Sequence, residues 1–263
     1  MNAPASNQNS PLTTWLDREG QLLRLRFNRP KANLVDAAMI VALQNVFTQY
    51  ADHNRLKAVL LEAEGPHFSF GASIQEHLPQ SCAQMLQALH QLILSMLEFP
   101  VPILVAIRGQ CLGGGLEVAL AGSQLFAAED AKLGQPEIQL AVFAPAASCL
   151  LPPRIGAARA EALLLSGCSV NAEEALRIGL IDQRADDPEA AALAWFDQQL
   201  APRSASSLRF ALRAVRGNTV ANIRSRLSEV ETLYLDGLMH SRDAVEGLTA
   251  YMEKRPAIWE DSK

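Results

Sequence analysis

The chain has 263 residues, 49% of them hydrophobic and 19% charged, with a formal net charge of -5. That apolar fraction excludes global disorder, and the length is enough to bury a substantial core. The acidic balance, with no run of Lys or Arg, argues against nucleic acid or an anionic membrane surface as a partner.

Aromatics make up only 6% of residues while Ala and Leu are plentiful, which favours helix-rich architecture over an all-β barrel. The four cysteines, Cys82, Cys111, Cys149 and Cys168, contain no CxxC pair, so neither a zinc site nor a disulfide framework is expected. No secretory signal is readable before Pro11, and apolar stretches such as Val101 to Ile107 are too short to span a bilayer. A soluble, cytoplasmic protein is the expectation.

Residues 1 to 11 read as a flexible leader. From Gln21 to Asn28, Leu23, Leu25 and Phe27 alternate with Leu22, Arg24 and Arg26, predicting a strand with one more polar face. After the loop Arg29 to Asn33, Asp36 caps a helix carrying Met39, Leu43, Val46, Phe47 and Tyr50 at helical spacing. Lys57 to Glu62 is a short apolar run, as expected of a buried strand. Beyond the loop Gly65 to Ser73, Ser81 is the expected cap of a long helix with Met85, Leu89, Leu92 and Met96 on its apolar stripe. Pro100 and Pro102 end it, Ile103 to Ile107 is another buried strand, and Gly113-Gly114-Gly115 opens a helix, Leu116 to Ala121. Leu125 to Ala128 is the next strand. Alternating strands and helices predict a largely parallel sheet through residue 145. Beyond Ala157 the pattern reads as helical throughout, with an Asn171/Glu174 capping box and two long helices between Ser206 and Tyr251. Residues 12 to 200 thus form an α/β core, and 201 to 263 a helical C-terminal region.

Several familiar sites are absent. There is no GxSxG, P-loop or GxGxxG, and the five histidines form no ligand-like cluster, so no metal is expected; His53 and His90 read as helix-surface or capping groups. Three loop segments carry chemistry instead. Gly109 to Glu117 (GQCLGGGLE) follows a buried strand, and its glycines let backbone approach a ligand with helix-terminal N–H groups free. Read alone, Glu117 is an acid favoured by the helix dipole. Gly134-Gln135-Pro136-Glu137 is on its own a turn with an exposed acid, and Phe68 to Ser73 an apolar loop with one glycine. Together they supply two backbone donors for an oxyanion and two carboxylates for handling protons, at the strand ends where α/β proteins bind ligands.

In order along the chain, Arg29 to Asn33, Phe68 to Ile74, Cys111 to Glu117, Lys132 to Glu137 and Tyr251 to Pro256 resemble the motifs of the crotonase (enoyl-CoA hydratase/isomerase) superfamily, over roughly residues 15 to 260. The resemblance implies an α/β, ClpP/crotonase-like spiral of ββα units with a helical C-terminal third. It also implies acyl-CoA thioester substrates, no separate cofactor (coenzyme A belongs to the substrate) and a homotrimer or dimer of trimers. Carried over by position, the oxyanion hole falls on the N–H groups of Ala72 and Gly114, and the hydratase acids on Glu117 and Glu137. Substrate contacts fall on Lys31, Ala32, Phe70, Ser73, Ile74, Phe143 and Pro145, with Lys254 reaching a neighbouring nucleotide.

This chain departs from the family pattern at Ser73, where an Asp is usual, and at Phe143 to Leu151, where a Gly-rich stretch is usual. With Phe70 and the intact acid pair, this variant is most similar to the members that hydrate cyclohexa-1,5-diene-1-carbonyl-CoA to 6-hydroxycyclohex-1-ene-1-carbonyl-CoA in anaerobic aromatic degradation. The alternatives are a general straight-chain enoyl-CoA hydratase/isomerase, or a non-catalytic acyl-CoA- or RNA-binding member of the fold.

Overall fold

The computed structural model describes residues 10 to 261, so all but two residues of the expected leader lie outside it. Those two are tied down: Pro11 O accepts the N–H of Asn28 at 2.7 Å.

Strands β1 (Leu12–Asp17), β2 (Leu22–Phe27), β3 (Ala58–Ala63) and β4 (Ile103–Ile107) begin a six-stranded sheet. The second sheet is built from short strands: β5 (Gln110–Leu112), β7 (Lys132–Gly134) and β8 (Ser169–Asn171). Between them in sequence, β6 (Gln124–Ala127) returns to the first sheet, which β9 (Gln183–Arg184) closes in the order β1-β2-β3-β4-β6-β9. Only the β1/β2 pair of the first sheet is antiparallel.

The two sheets advance together. β3 is followed by a single bridge residue, Ser69, which pairs in parallel with Cys111 of β5. β4 is followed by β5, and β6 by β7. Each such pair leads into a helix: α2 (Cys82–Glu98), α3 (Gly114–Leu120) and, after a 3-10 turn (Pro136–Leu140), α4 (Pro145–Ile155). This is the expected spiral of ββα units.

Apolar strands buried on both faces hold the spiral together. One face of the large sheet places Leu23, Leu25, Val59 and Leu61 against α1 (Ala37–Tyr50) and α2. The other packs Leu22, Leu60, Leu104 and Phe126 against Ala192. The helical remainder comprises α5 (Ala157–Ser166), α6 (Ala172–Arg177), α7 (Pro188–Trp195), α8 (Ala205–Thr232) and α9 (Arg242–Met252). Asp36 and Asn171 cap α1 and α6 as expected, accepting from Met39 N and Glu174 N.

The more polar face of β2 is present as expected and carries ion pairs: Arg24 is buried and pairs with Glu62 at 2.5 Å and with Glu189 of α7, while Arg26 Nε donates to Glu62 at 2.6 Å. Several expectations need correction. β1 went unread because Leu-Thr-Thr-Trp has no clean alternation. The chain beyond Ala157 is not helical throughout, since β8 and β9 add two short strands to existing sheets; strands of two or three residues carry no readable period. Ser81 precedes α2 but makes no cap bond, its hydroxyl facing Gln75 O and Leu78 O. His90 is buried, with Nδ1 2.7 Å from Glu231, rather than on a helix surface. The stretch Phe143 to Leu151, where the family pattern is Gly-rich, is mostly the start of α4, with Pro145 in its first turn. The motif Tyr251 to Pro256 spans the end of α9, with Tyr251 and Met252 helical and the rest in the turn that follows. No helix is long and apolar enough to cross a membrane, among the described residues.

Candidate active site

The three chemistry-bearing segments converge because they leave the same end of two parallel strands, β5 and β7, and of the one-residue bridge beside them. Ser69 bridges Cys111, and Leu112 of β5 pairs with Gly134 of β7. Beyond these positions lie Gly71-Ala72, Gly113-Gly114 and Gln135-Pro136-Glu137. Backbone bonds fix the mutual placement: Leu112 N donates to Ser69 O at 3.0 Å, and Gly113 N to Gly134 O at 3.0 Å. Ser69 is buried and works twice, donating to Asn33 O at 2.8 Å and accepting Gly71 N at 3.1 Å. Asn33, in the left-handed region at φ 45°, donates in turn to Glu64 O and His67 O.

Two amides stand side by side at this junction. A Cβ added to Gly114 would lie 3.1 Å from Ala72 N, and one added to Gly71 would lie 3.5 Å from Gly114 N. Neither Ala72 N–H nor Gly114 N–H donates to protein among the described residues. Gly114 opens α3, so its amide is one of the donors a helix leaves free. Gly113 holds φ +49°, and a Cβ there would meet Glu137 Oε1 at 2.5 Å, so only glycine fits.

The carboxylates flank these amides from different turns. Glu117 is buried in the first turn of α3, and its Oε1 accepts the N–H of Ala147 in α4 at 2.8 Å. Glu137 is half-buried on the 3-10 turn. The buried Gln135 amide, oriented by its hydrogen-bonding surroundings, donates to both Glu137 oxygens at 3.1 and 3.0 Å. Burial pushes Glu117 up to about 7, against the opposing pull of the Ala147 and Ala146 amides. Burial, and then the charge of Glu117, pushes Glu137 up to about 8. Burial raises both groups and the charge of Glu117 raises Glu137 further, so their titrations are linked.

The remaining expected residues divide into two sets. Ile74 and Phe143 are half-buried and pack into one apolar cluster with Tyr234, and Pro145 is buried beneath the site at the start of α4. Ser73 precedes the 3-10 turn Ile74–His77, its carbonyl 2.9 Å from His77 Nδ1. Ala32 O accepts Phe70 N at 2.9 Å, joining that loop to the oxyanion segment. Phe70 is 42% exposed and stands edge-on to His67 at 4.9 Å, so its ring is not walled into a closed pocket. Lys31 and Lys254 are exposed, Lys254 on the turn after α9, and no contact joins either to the carboxylates among the described residues. Sequence reasoning missed Gln135, Ala147 and Tyr234. The first sits inside a motif as an ordinary polar residue, the second acts through its backbone, and the third lies nearly a hundred residues beyond Glu137 in sequence with no local signature.

Two free backbone donors beside two carboxyl groups whose pKa values burial raises, on a spiral of ββα turns, are an arrangement that can stabilise an oxyanion and move protons next to it. Residues 17 to 262 match the Enoyl-CoA hydratase/isomerase family, and the chain belongs to it. It is 64% identical to the cyclohexa-1,5-dienecarbonyl-CoA hydratase of Thauera aromatica, across 97% of this chain and 99% of that one. It is 33% identical to a probable enoyl-CoA hydratase of Bacillus subtilis, over 88% of this chain and 92% of that one. Among solved structures, the enoyl-CoA hydratase/isomerase of Pseudoalteromonas atlantica T6c superposes with a TM-score of 0.80 at 27% identity, covering 95% of this chain and 99% of that one. An enoyl-CoA hydratase from Mycobacterium avium shares the fold with a TM-score of 0.85 at 21% identity, over 95% of this chain and 98% of that one.

Proposed function

We propose that this chain is a hydro-lyase that adds water to cyclohexa-1,5-diene-1-carbonyl-CoA, forming 6-hydroxycyclohex-1-ene-1-carbonyl-CoA. The observation that carries the substrate is the 64% identity, over nearly the whole length, to a hydratase named for that substrate. The chemistry is supported by the paired amides and the paired acids.

The thioester oxygen sits between the N–H groups of Ala72 and Gly114, which stabilise the negative charge that develops as water attacks. Glu117, ionised and steadied by Ala147, takes a proton from the water as its oxygen bonds to the β carbon. The π electrons of the attacked double bond move to the thioester oxygen; as they return, the α carbon forms a new double bond to its other ring neighbour, and the electrons of the remaining double bond take up the proton at the far terminus. Glu137, the protonated partner, then delivers its proton to the far diene terminus, across the ring from the new C–O bond. The proton gained by Glu117 passes to Glu137 before the next turnover. The addition is redox-neutral and needs no cofactor beyond the coenzyme A carried by the substrate.

The helical C-terminal region, 201 to 263, is assigned to assembly as a homotrimer or dimer of trimers. Phe210 and Val215 on α8, 70% and 79% exposed, are the apolar surface that supports this. Lys31 and Lys254 are assigned to the nucleotide end of the substrate, Lys254 to that of a neighbouring subunit. Phe70, Phe143, Ile74 and Pro145 are assigned to the acyl pocket, and the enzyme to the cytoplasm.

The test is kcat/KM of the purified protein across a substrate panel. The cyclic dienoyl-CoA is expected first, crotonyl-CoA well below it and a ten-carbon enoyl-CoA undetectable, because a long chain clashes where a short one merely underfills. Efficient hydration of the ten-carbon substrate would replace the ring reading with that of a straight-chain hydratase.

A further inference from the structure

Tyr234 lies on the π-helical turn Leu233–Gly237 that follows α8, and its side chain is fully buried. Its ring stands edge-on to Phe143, with centroids 5.3 Å apart, in a cluster that also contains Ile74, Val142 and Cys82. The phenolic oxygen has no hydrogen-bond partner among the described residues. Leaving a buried hydroxyl unpaired is costly, so such a group points to a partner that arrives with a ligand. Arg24, His53, Glu76 and His90 also carry one unpaired buried atom each. Tyr234 is set apart by its packing: its cluster contains Ile74 and Phe143, assigned above to the acyl pocket, and Val142, whose N–H donates to Glu137 O at 3.3 Å on the acid-bearing turn. Burial first, and then the charges of Cys82, Glu137 and Glu117, push the phenol well above its usual range, so it keeps its proton and remains a donor at any working pH.

We propose that Tyr234 is a third catalytic group of this site, its hydroxyl donating a hydrogen bond to the oxygen that adds to the ring. The proposal rests on the hydratase reading above. The thioester oxygen is already served by the two amides, and the protons of the attacking water by the glutamates. A water that attacks with one lone pair has a second with which to accept the phenol O–H, and so has the ring hydroxyl it becomes. Tyr234 forms and breaks no covalent bond and transfers no proton. It holds one oxygen on one face of the ring through both directions of the reaction.

Tyr234→Phe tests this, since it removes only the hydroxyl. The expected result is a variant whose thermal midpoint is at or above that of the wild type, with kcat lowered about tenfold, the usual weight of one neutral hydrogen bond. A second readout is inhibition by 6-hydroxycyclohex-1-ene-1-carbonyl-CoA relative to cyclohex-1-ene-1-carbonyl-CoA, which lacks the hydroxyl. Wild type should favour the hydroxylated compound, and the variant should lose that preference. A kcat within twofold of wild type, or a retained preference in a less stable variant, would overturn the proposal and leave Tyr234 as a packing residue. Should the wild type hydrate crotonyl-CoA but not the cyclic dienoyl-CoA, the substrate reading fails alone. The same comparison then runs with crotonyl-CoA for kcat and with 3-hydroxybutyryl- against butyryl-CoA for binding.

Discussion

The two acid-bearing turns leave adjacent strands of one small sheet and are built in opposite ways. The turn after β5 enters a regular helix, every residue from Gly114 to Leu120 is buried, and Glu117 is held by an amide of α4. The turn after β7 is a 3-10 turn without a fully buried residue, ending at Ala141 in the left-handed region, and Glu137 is steadied by the side chain of Gln135. The difference suits two tasks. An oxyanion donor and a base must sit still, and a helix terminus locked into the core supplies both. The proposed acid, Glu137, is held at its tip by the Gln135 side chain instead of by a backbone amide of a neighbouring helix. Burial raises both acids, and the charge of Glu117 adds to the rise at Glu137.

The comparison breaks most severely at Gly114. Gly114→Val must displace the Ala72 segment, whose backbone nitrogen lies 3.1 Å from the position of the new Cβ. Turnover should become undetectable while the thermal midpoint stays close to wild type; a variant that unfolds would show that the glycine serves packing alone. Next in size, Glu117→Gln and Glu137→Gln should each lower kcat by about a hundredfold or more with little change in KM, and the double variant should be far less damaged than the product of the two. Near wild-type turnover in either single variant removes that residue from the mechanism.

The smallest effects sharpen the comparison through pH. The proposed mechanism requires the pair to hold one proton, so it predicts a bell-shaped kcat/KM with its maximum between about 7 and about 8. Stability moves too. Both acids bind protons more tightly folded than unfolded, where their pKa is near 4.5, so the pair costs stability progressively as pH rises from about 4.5 to about 8. Either Glu→Gln variant should therefore be more stable than wild type at pH 8 by on the order of 1–3 kcal/mol and no more stable near pH 4. Thermal unfolding at the two pH values measures this, and equal midpoints at pH 8 would show that the carboxylates are not strained by burial.

How much of this was legible in the sequence differs between the same regions. The long strands announced themselves as apolar runs, and Asp36 and Asn171 as caps, because each signal is local. The glycines and acids of the two turns were readable as motif residues. What stayed hidden was the reason they meet: β5, β7 and the Ser69 bridge are too short to show a period, yet their pairing sets the whole site. Support from afar was hidden for the same reason. Ala147 acts through its backbone, and Tyr234 meets Phe143 and Ile74 only through the packing of the chain that follows α8.

The most direct test of the central claim is the fate of one proton. The purified protein is incubated in heavy water with cyclohexa-1,5-diene-1-carbonyl-CoA, and the product is read by NMR. Vinylogous hydration by the glutamate pair predicts 6-hydroxycyclohex-1-ene-1-carbonyl-CoA with a single deuterium on the ring carbon directly opposite the hydroxyl-bearing one. Absence of that product, in a preparation that hydrates crotonyl-CoA, would contradict the account.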